Sequence, residues 1–271
     1  MIPAKKFKSA LRLLAKGQLS EFGKRAEPFL QSMQAAPGFY RRVMARTGAP
    51  AAVSLATDHP VAFESLDTAI PFGTAQDNST NRAFVVKVGD WITRRTGCAR
   101  GAMLDLGCSG GQLVADFRAI GWDAVGLEGS DFSLKHRRAN WSTLANVALF
   151  TCDITRPFRV SLDGSPAKFD LITAWEVLEH IPEAALPQLF ANITGHLKPG
   201  GLFIASTSDH PDIHNGFDLH VTKMSNAQWH QWIAMNAPVL VPVDLPLKRT
   251  EYVRCVSDSF LTMQRREDSE A

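Results

Sequence analysis

Two carboxylates and an imidazole lie close together in the stretch AWEVLEH, residues 174–180. The apolar run that precedes it, FDLIT, has the composition of a buried strand, so the stretch is expected at a strand end. If a helical turn begins at Glu176, then Glu179 and His180 lie at positions i+3 and i+4, on the same face. These groups could act as a general base toward a hydroxyl group, or they could bind a divalent cation such as Mg²⁺ or Mn²⁺.

The elements that would position this stretch alternate between strand and helix from residue 81 onward. Apolar residues at helical spacing predict helices over 81–96, 112–120, 133–144, 182–197 and 229–235. Short apolar runs predict strands over 103–106, 124–127, 147–151, 169–174, 202–206, 239–243 and 252–256. Ser225 and Gln228 form a capping-box pattern ahead of the last helix. This alternation predicts an α/β fold whose mainly parallel sheet is covered by helices on both faces.

A glycine turn, LDLGCSGG at residues 104–111, lies where the first strand of this series meets a helix. Ligands of parallel α/β sheets bind at the carboxyl ends of strands, and glycines there let the backbone approach a cofactor. Glu128 ends the second strand, where a carboxylate can accept hydrogen bonds from both hydroxyls of a ribose. Asp153 ends the third strand, where it could accept from an adenine amine while Ile154 packs on the ring. Together these features predict a nucleoside-binding site.

The turn resembles motif I of the class I S-adenosylmethionine-dependent methyltransferases. Asp105, Gly107 and Gly111 match that motif, whereas Ser109 replaces its middle glycine. The resemblance covers roughly residues 81–256 and includes the runs FDLITAWEVLEH and HLKPGGLF. It implies a Rossmann-like, seven-stranded sheet whose last strand is antiparallel, and the two C-terminal strands would complete that sheet.

The resemblance also implies a role for each part of the site. Asp105 and the backbone of the glycine turn would hold the methionine portion of S-adenosylmethionine, with Cys108 as a small turn residue. Glu128 would bind the ribose, Asp153 would bind the adenine amine, and Trp175 would lie beside the cofactor. The predicted cofactor-binding residues are Asp105, Gly107, Cys108, Ser109, Gly111, Glu128, Gly129, Asp153, Ile154 and Trp175.

AWEVLEH is similar to a pattern in two subgroups of that family, the quinone-pathway O-methyltransferases and the small-RNA 3′-end 2′-O-methyltransferases. Both carry E-x-x-E-H after the fourth strand and a later histidine ahead of a helix that begins at Ser or Thr. His220 lies five residues before Ser225 and fits that position. The resemblance implies a metal site of Glu176, Glu179, His180 and His220. The alternative, in which Glu176 and His180 act as general base without a metal, stays open.

Composition sets the expectations for the rest of the chain. Residues 1–48 carry ten Lys and Arg but two Asp and Glu, which predicts a basic helical arm. Its charges would form a solvated helix face packed on its own domain or, as the alternative, touch an anionic surface. A loop or linker over 49–80 that could fold over a site, a methyltransferase domain over 81–260 and a polar tail over 261–271 would follow. No run of 18 apolar residues is present, and the four cysteines lack paired spacing, so we expect reduced thiols and a cytoplasmic location.

Three functions fit these observations. The first is transfer of a methyl group from S-adenosylmethionine to a hydroxyl group of a small molecule or glycan precursor, because a hydroxyl needs the base or metal that AWEVLEH can provide. The second is methylation of an RNA 3′ end, with the basic arm contacting phosphates. However, the chain after the arm is acidic overall and shows no RNA-binding motif. The third is a non-catalytic cofactor-binding module, which would not need the carboxylates and histidine of AWEVLEH.

Overall fold

The computed structural model describes residues 50–98, 100–254 and 259–267. The predicted basic arm, residues 1–48, lies outside them. The strands are β1 (Val53–Thr57), β2 (Ala102–Leu106), β3 (Asp123–Glu128), β4 (Leu149–Thr151), β5 (Phe158–Leu162), β6 (Ser165–Pro166), β7 (Phe169–Trp175), β8 (Leu197–Thr207), β9 (Ile213–His214), β10 (Phe217–Asp218), β11 (Leu240–Pro242) and β12 (Ser259–Arg265). The helices are α1 (Leu66–Ala69), α2 (Phe72–Gln76), α3 (Arg82–Thr96), α4 (Gln112–Ala119), α5 (Phe132–Lys135), α6 (Trp141–Leu144), α7 (Leu186–His196) and α8 (Asn226–Asn236).

The central sheet has seven strands in the spatial order β11-β12-β8-β7-β2-β3-β4. The five strands from β8 to β4 are parallel, and β12 runs antiparallel between β8 and β11. This architecture confirms the predicted Rossmann-like α/β fold with an antiparallel last strand. Because the parallel strands run in the same direction, the carboxyl ends of β2, β3, β4 and β7 meet at one edge of the sheet.

Helices cover both faces of this sheet, which explains why every residue of β2 and β7 is buried. On one face, α7 and α8 contribute Phe190, Trp229 and Ile233 to the main core. On the other, Phe84 of α3 packs edge-on against Phe117 of α4, with ring centroids 6.4 Å apart. Within the described residues no helix combines the length and apolar character needed to cross a membrane.

The C-terminal strand lies later in the chain than predicted. Residues 252–254 are not in a strand, and β12 instead extends to Arg265, into the segment predicted to be a polar tail from residue 261. The prediction missed it because polar residues alternate with Leu261 and Met263, which are buried. The polar side chains find backbone partners: Gln264 donates to the carbonyl of Gly200, and Arg265 donates to that of Leu197.

Residues 49–80, predicted to be a loop or linker, contain regular structure. β1 pairs antiparallel with β5, and β5 pairs with β6, to form a second sheet of three strands. Two short helices, α1 and α2, follow. Two backbone hydrogen bonds connect this segment to the ends of β3 and β4, because Ala62 donates to Gly129 and Asp153 donates to His59, each at 2.9 Å.

Two helix predictions also differ in detail. The helix predicted over 133–144 is two short helices, α5 and α6, because the backbone between them turns through positive φ at Arg137 and Ala139. The helix predicted from residue 182 begins with a 3₁₀ turn and becomes α-helical at Leu186. The capping box of Ser225 and Gln228 at the start of α8 is present as predicted.

Gly126 of β3 provides a test of this packing. A Cβ atom at this position would lie 2.8 Å from both Cβ and Sγ of Cys108 and equally close to the side chain of Leu149. We therefore expect Gly126→Ala to lower the free energy of unfolding by about 1–3 kcal/mol, measured by urea denaturation. Gly195→Ala is the matched control, because its Cβ would meet nothing within 4 Å. That control should be about 0.5–1 kcal/mol more stable than wild type, and equal effects of the two substitutions would contradict the packing argument.

Candidate active site

A cavity of about 870 Å³ lies at the sheet edge where the parallel strands end. Most of the predicted cofactor-binding residues line it, namely Gly107, Ser109, Glu128, Gly129, Asp153, Ile154 and Trp175. Asp105, Cys108 and Gly111 are not among the lining residues. The same cavity is lined by Glu176, His180 and His220, so one space holds groups from both predicted sites.

The glycine turn is fastened to the end of β3 by its backbone. The amides of Gly107 and Cys108 donate to the carbonyl of Leu127 at 2.8 and 3.0 Å. Gly107 has φ +69°, and a Cβ atom there would lie 2.5 Å from the side chain of Val177. Only glycine fits this position without displacing the residue that follows Glu176.

The serine that replaces the middle glycine of the motif binds a neighbouring segment. Ser109 also adopts positive φ, 45°, and its hydroxyl donates to the carbonyl of Asp77 at 2.8 Å. The guanidinium of Arg138 donates to the same hydroxyl at 2.9 Å. The side chain thereby connects the glycine turn to the segment after α2.

Glu128 lines the cavity and connects two turns by hydrogen bonds. Its carboxylate accepts from the amide of Ser109 at 2.8 Å and from the amide of Ser130 at 3.1 Å. Burial raises the pKa of Glu128 above its usual range, and the two amide hydrogen bonds oppose this shift. Each carboxylate oxygen keeps a second lone pair, so the group can still accept a hydrogen bond from a ligand in the cavity.

Asp105, Cys108 and Gly111, the three predicted residues that do not line the cavity, lie in or next to the glycine turn. Asp105 is buried, and the hydroxyl of Thr173 donates to its carboxylate at 2.6 Å. Burial raises the pKa of Asp105 to about 7. Cys108 is buried against Gly126, as expected for a small turn residue, and Gly111 begins α4 with φ +79°. Asp105, Cys108 and Gly111 thus make contacts that position the glycine turn.

Asp153 and Trp175 occupy different parts of the cavity wall. One carboxylate oxygen of Asp153 accepts from the amide and the hydroxyl of Thr155 at 2.9 and 2.6 Å, which orients the side chain. Ile154 is buried beside it. Trp175 packs edge-on against Phe84, with centroids 5.0 Å apart, and its Nε1 has no hydrogen-bond partner among the described residues.

The residue that follows β7, Glu176, has a strained backbone. Glu176 has φ +54°, in the left-handed region that a non-glycine residue rarely adopts, and its amide donates to the hydroxyl of Ser206 at 3.1 Å. The next turn, Leu178–His180, is 3₁₀ rather than the α-helical turn considered from the spacing. Glu176 lines the cavity, and its Oε1 is buried without a hydrogen-bond partner in the described part of the chain.

Three of the four predicted metal ligands come together. Glu179, His180 and His220 each offer a ligand atom, and these atoms lie within 4.8 Å of one another. Glu176 is outside this group. Glu179 is fully buried, and while its Oε1 accepts from the amide of Ser208 at 3.0 Å, no described residue bonds to its Oε2. Burial raises the pKa of Glu179 to about 8, with Glu176 adding to the shift and His180 opposing it.

Each histidine of the cluster has one ring nitrogen beside an oxygen acceptor. Nδ1 of His180 lies 2.9 Å from a carboxylate oxygen of Asp67, and Nδ1 of His220 lies 2.5 Å from the carbonyl oxygen of His210. Two acceptors 2.5 Å apart would repel, so Nδ1 of His220 carries the proton when that ring is neutral. Nδ1 of His180 is at ion-pair distance from Asp67 but outside hydrogen-bond geometry. Burial lowers the pKa of His180, but the nearby carboxylates, Asp67 first, outweigh this effect and raise it.

Sequence reasoning missed several charged residues of the cavity wall, among them Asp67, Asp77 and Arg254. The first two belong to the segment that was predicted to be able to fold over a site, and the structure confirms that this segment lines the cavity. Arg254 falls in the misplaced final strand and forms an ion pair with Asp77 at 2.8 Å. No spacing pattern marks these residues, because their partners lie far away in the chain.

Residues 81–243 match the family model described as a methyltransferase domain. The chain belongs to this methyltransferase family. The chain is also 30% identical, over 118 residues, to the ubiquinone biosynthesis O-methyltransferase of Aromatoleum aromaticum. The aligned region covers 44% of this chain and 48% of that relative. The enzyme of the same name from Methylococcus capsulatus is 31% identical over 43% of the chain and 47% of the relative. The methyltransferase chain thus spans about half the length of these curated relatives.

Among solved structures, the methyltransferase chain matches the magnesium protoporphyrin IX methyltransferase of Synechocystis with bound SAH. The two are 14% identical, with a TM-score of 0.48, and the match covers 73% of this chain and 96% of the other.

The buried Asp105 predicts a pH-dependent stability for this methyltransferase-family chain. Its pKa rises from an ordinary value near 4 to about 7 on folding, so the stability that the neutral carboxyl contributes is lost as the pH rises between these values. Asp105→Asn removes the charge and keeps an acceptor for Thr173. Urea denaturation should show the variant gaining roughly 1–3 kcal/mol relative to wild type between about pH 5 and about pH 8. A difference that stays constant across that range would contradict the assignment.

Proposed function

We propose that this protein transfers a methyl group from S-adenosylmethionine to a hydroxyl group of a small molecule or glycan precursor, with the help of a divalent cation. The observation that carries the proposal is that the glycine turn, Glu128 and Asp153 line one cavity together with Glu176, His180 and His220. A cofactor held at the first group of residues would present its reactive end to the second. The family match and the O-methyltransferase names of the two relatives support the same reaction.

For the cofactor, we propose that Glu128 binds the ribose hydroxyls and that Asp153 accepts from the adenine amine, with Ile154 against the ring. The free lone pairs of Glu128 and the orientation of Asp153 by Thr155 support these roles. Trp175 would lie beside the cofactor near the end of β7, where the transferred methyl group is expected.

When bound, S-adenosylmethionine supplies an electrophilic methyl group on a positively charged sulfur. In the transfer, the acceptor oxygen forms a bond to the methyl carbon while the bond from carbon to sulfur breaks. The hydroxyl proton must go to a base, and we propose that Oε1 of Glu176 accepts it. That atom is buried and unpartnered among the described residues, and Glu176, whose backbone is strained, lines the cavity.

The residues of the cluster fit a divalent cation. Glu179 offers a buried oxygen without a described partner, and His180 and His220 each offer a ring nitrogen. The ring of His220 is oriented by the contact of its Nδ1 with the carbonyl of His210. Histidine ligands of metals commonly donate their other ring nitrogen to a carboxylate or a backbone carbonyl, as Asp67 and His210 permit here. We propose that these three residues hold Mg²⁺ or Mn²⁺, which would lower the pKa of the acceptor hydroxyl. Glu176, outside the cluster, is then left to act as the base.

The first test is methyl transfer from radiolabelled S-adenosylmethionine to a panel of acceptors with vicinal oxygens, such as catechols and sugar diols. With any acceptor that is methylated, Glu176→Gln should lower kcat by about 100-fold or more and leave the KM for the cofactor nearly unchanged, because the base acts only in the transition state. Glu183→Gln, on the exposed 3₁₀ turn, is the matched control and should behave as wild type. A Glu176→Gln variant with wild-type kcat would remove the proposed base.

The second test is calorimetric titration of Mn²⁺ into protein saturated with S-adenosylhomocysteine. Wild type should bind the ion, and His220→Ala should weaken binding by at least about 10-fold, since it removes a proposed ligand. His214→Ala is the matched control: this histidine lies, like His220, between β8 and α8 and pairs with Asp212, outside the cluster. Asp67→Asn should weaken binding by about 10-fold through His180. Equal affinity in wild type and the His220→Ala variant would argue against the metal site.

A further inference from the structure

An ion pair lies on the wall of the cavity and is used by none of the roles above. A guanidinium nitrogen of Arg254 is 2.8 Å from a carboxylate oxygen of Asp77, and both residues line the cavity. The two side chains are 28% and 24% exposed, so about three quarters of each is removed from solvent. Long charged side chains are rarely buried to this extent without a specific partner.

The pair lies beside the glycine turn. The carbonyl of Asp77 accepts from the hydroxyl of Ser109 at 2.8 Å, which joins the residue to the middle of the turn. Arg254 lies two residues after Tyr252. The ring centroid of Tyr252 is 6.5 Å from that of Trp175. The charge of Arg254 also lowers the pKa of Asp105, and that of Asp77 raises it.

The hydrogen-bonding capacity of the pair is not exhausted. A guanidinium has five N–H donors in a planar fork that matches a carboxylate, yet Nε of Arg254 is buried without a partner among the described residues. On the other side, one carboxylate oxygen of Asp77 accepts from the amide and the hydroxyl of Ser79 at 3.2 and 2.5 Å, which fixes its orientation. The pair therefore offers one oriented cation and one oriented anion to the cavity.

We infer that Arg254 and Asp77 bind the α-amino-acid end of the cofactor, with Arg254 on its carboxylate and Asp77 on its ammonium group. This inference rests on the proposed function and assigns two of its binding residues. A zwitterion matches the pair in charge, so each buried group exchanges one partner of opposite charge for another and none is left unpaired. The arrangement also accounts for the contact of Ser109 with Asp77, which keeps the anion next to the turn.

The test compares two ligands that share the adenosine and thioether portions. S-adenosylhomocysteine carries the α-amino acid, whereas 5′-methylthioadenosine ends in a methyl group. By titration calorimetry, Arg254→Met should bind S-adenosylhomocysteine about 10-fold to 100-fold more weakly than wild type, as expected for loss of a charge-assisted hydrogen bond, and bind 5′-methylthioadenosine equally well. Arg254→Lys should retain part of the lost affinity, because the charge remains without the planar fork. Arg94→Met is the matched control, since Arg94 is exposed on α3 and should affect neither ligand.

The outcomes separate the inference from its alternatives. A purely structural role for the ion pair would weaken both ligands by the same factor, and that result would overturn the inference. Unchanged binding of S-adenosylhomocysteine by Arg254→Met would overturn it as well. If wild type bound neither ligand, the proposed cofactor itself would be wrong, and the inference would fail with it. Tight binding of S-adenosylhomocysteine by wild type, with loss confined to that ligand in Arg254→Met, is the result that supports the assignment.

Discussion

Parallel pairing of β4, β3, β2, β7 and β8 is the constraint on which the rest of this molecule depends. It brings residues that are 20 to 70 positions apart in the chain to one edge of the sheet. The turn after β2 then reaches the end of β3, where Glu128 accepts its amide hydrogen bond. The same alignment puts Glu176, at the end of β7, on the wall of the cavity that Glu128 lines. A shift of one residue in any of these pairings would turn the lining side chains away from it.

Several polar atoms at the cavity are buried without a hydrogen-bond partner among the described residues. Trp175, Glu176 and Glu179 each bury a polar atom that has no partner within the described residues, and Glu176 also adopts a strained backbone. Each such atom costs about 1–3 kcal/mol in a protein interior. Such costs persist where a ligand satisfies the groups, so their concentration at this edge of the sheet supports a ligand site. The buried Glu179, with its pKa near 8, would regain a partner by binding a cation.

The segment before α3 has a larger role than its composition indicates. Its Asp67 contacts His180, and its Asp77 contacts both Ser109 and Arg254. These contacts connect the segment both to the glycine turn and to the cluster of Glu179, His180 and His220. Ser109, which departs from the motif, is one of the connecting residues, because its hydroxyl donates to the carbonyl of Asp77.

The amino-acid sequence by itself determined most strands of the central sheet and most of the helices beside them, the glycine turn and the residues at the strand ends, because periodicity and turn chemistry are local. It did not indicate the second sheet of β1, β5 and β6, whose pairing joins residues far apart in the chain. The sequence also indicated Glu179, His180 and His220 as metal ligands, and these three residues lie close together. Only the tertiary structure decided that Glu176 lies outside that cluster, because a 3₁₀ turn and a positive φ replaced the regular helical turn. The tertiary structure likewise brought in Asp67, Asp77 and Arg254. Their contacts span 32 to 177 residues of chain, and such pairings depend on how the elements pack.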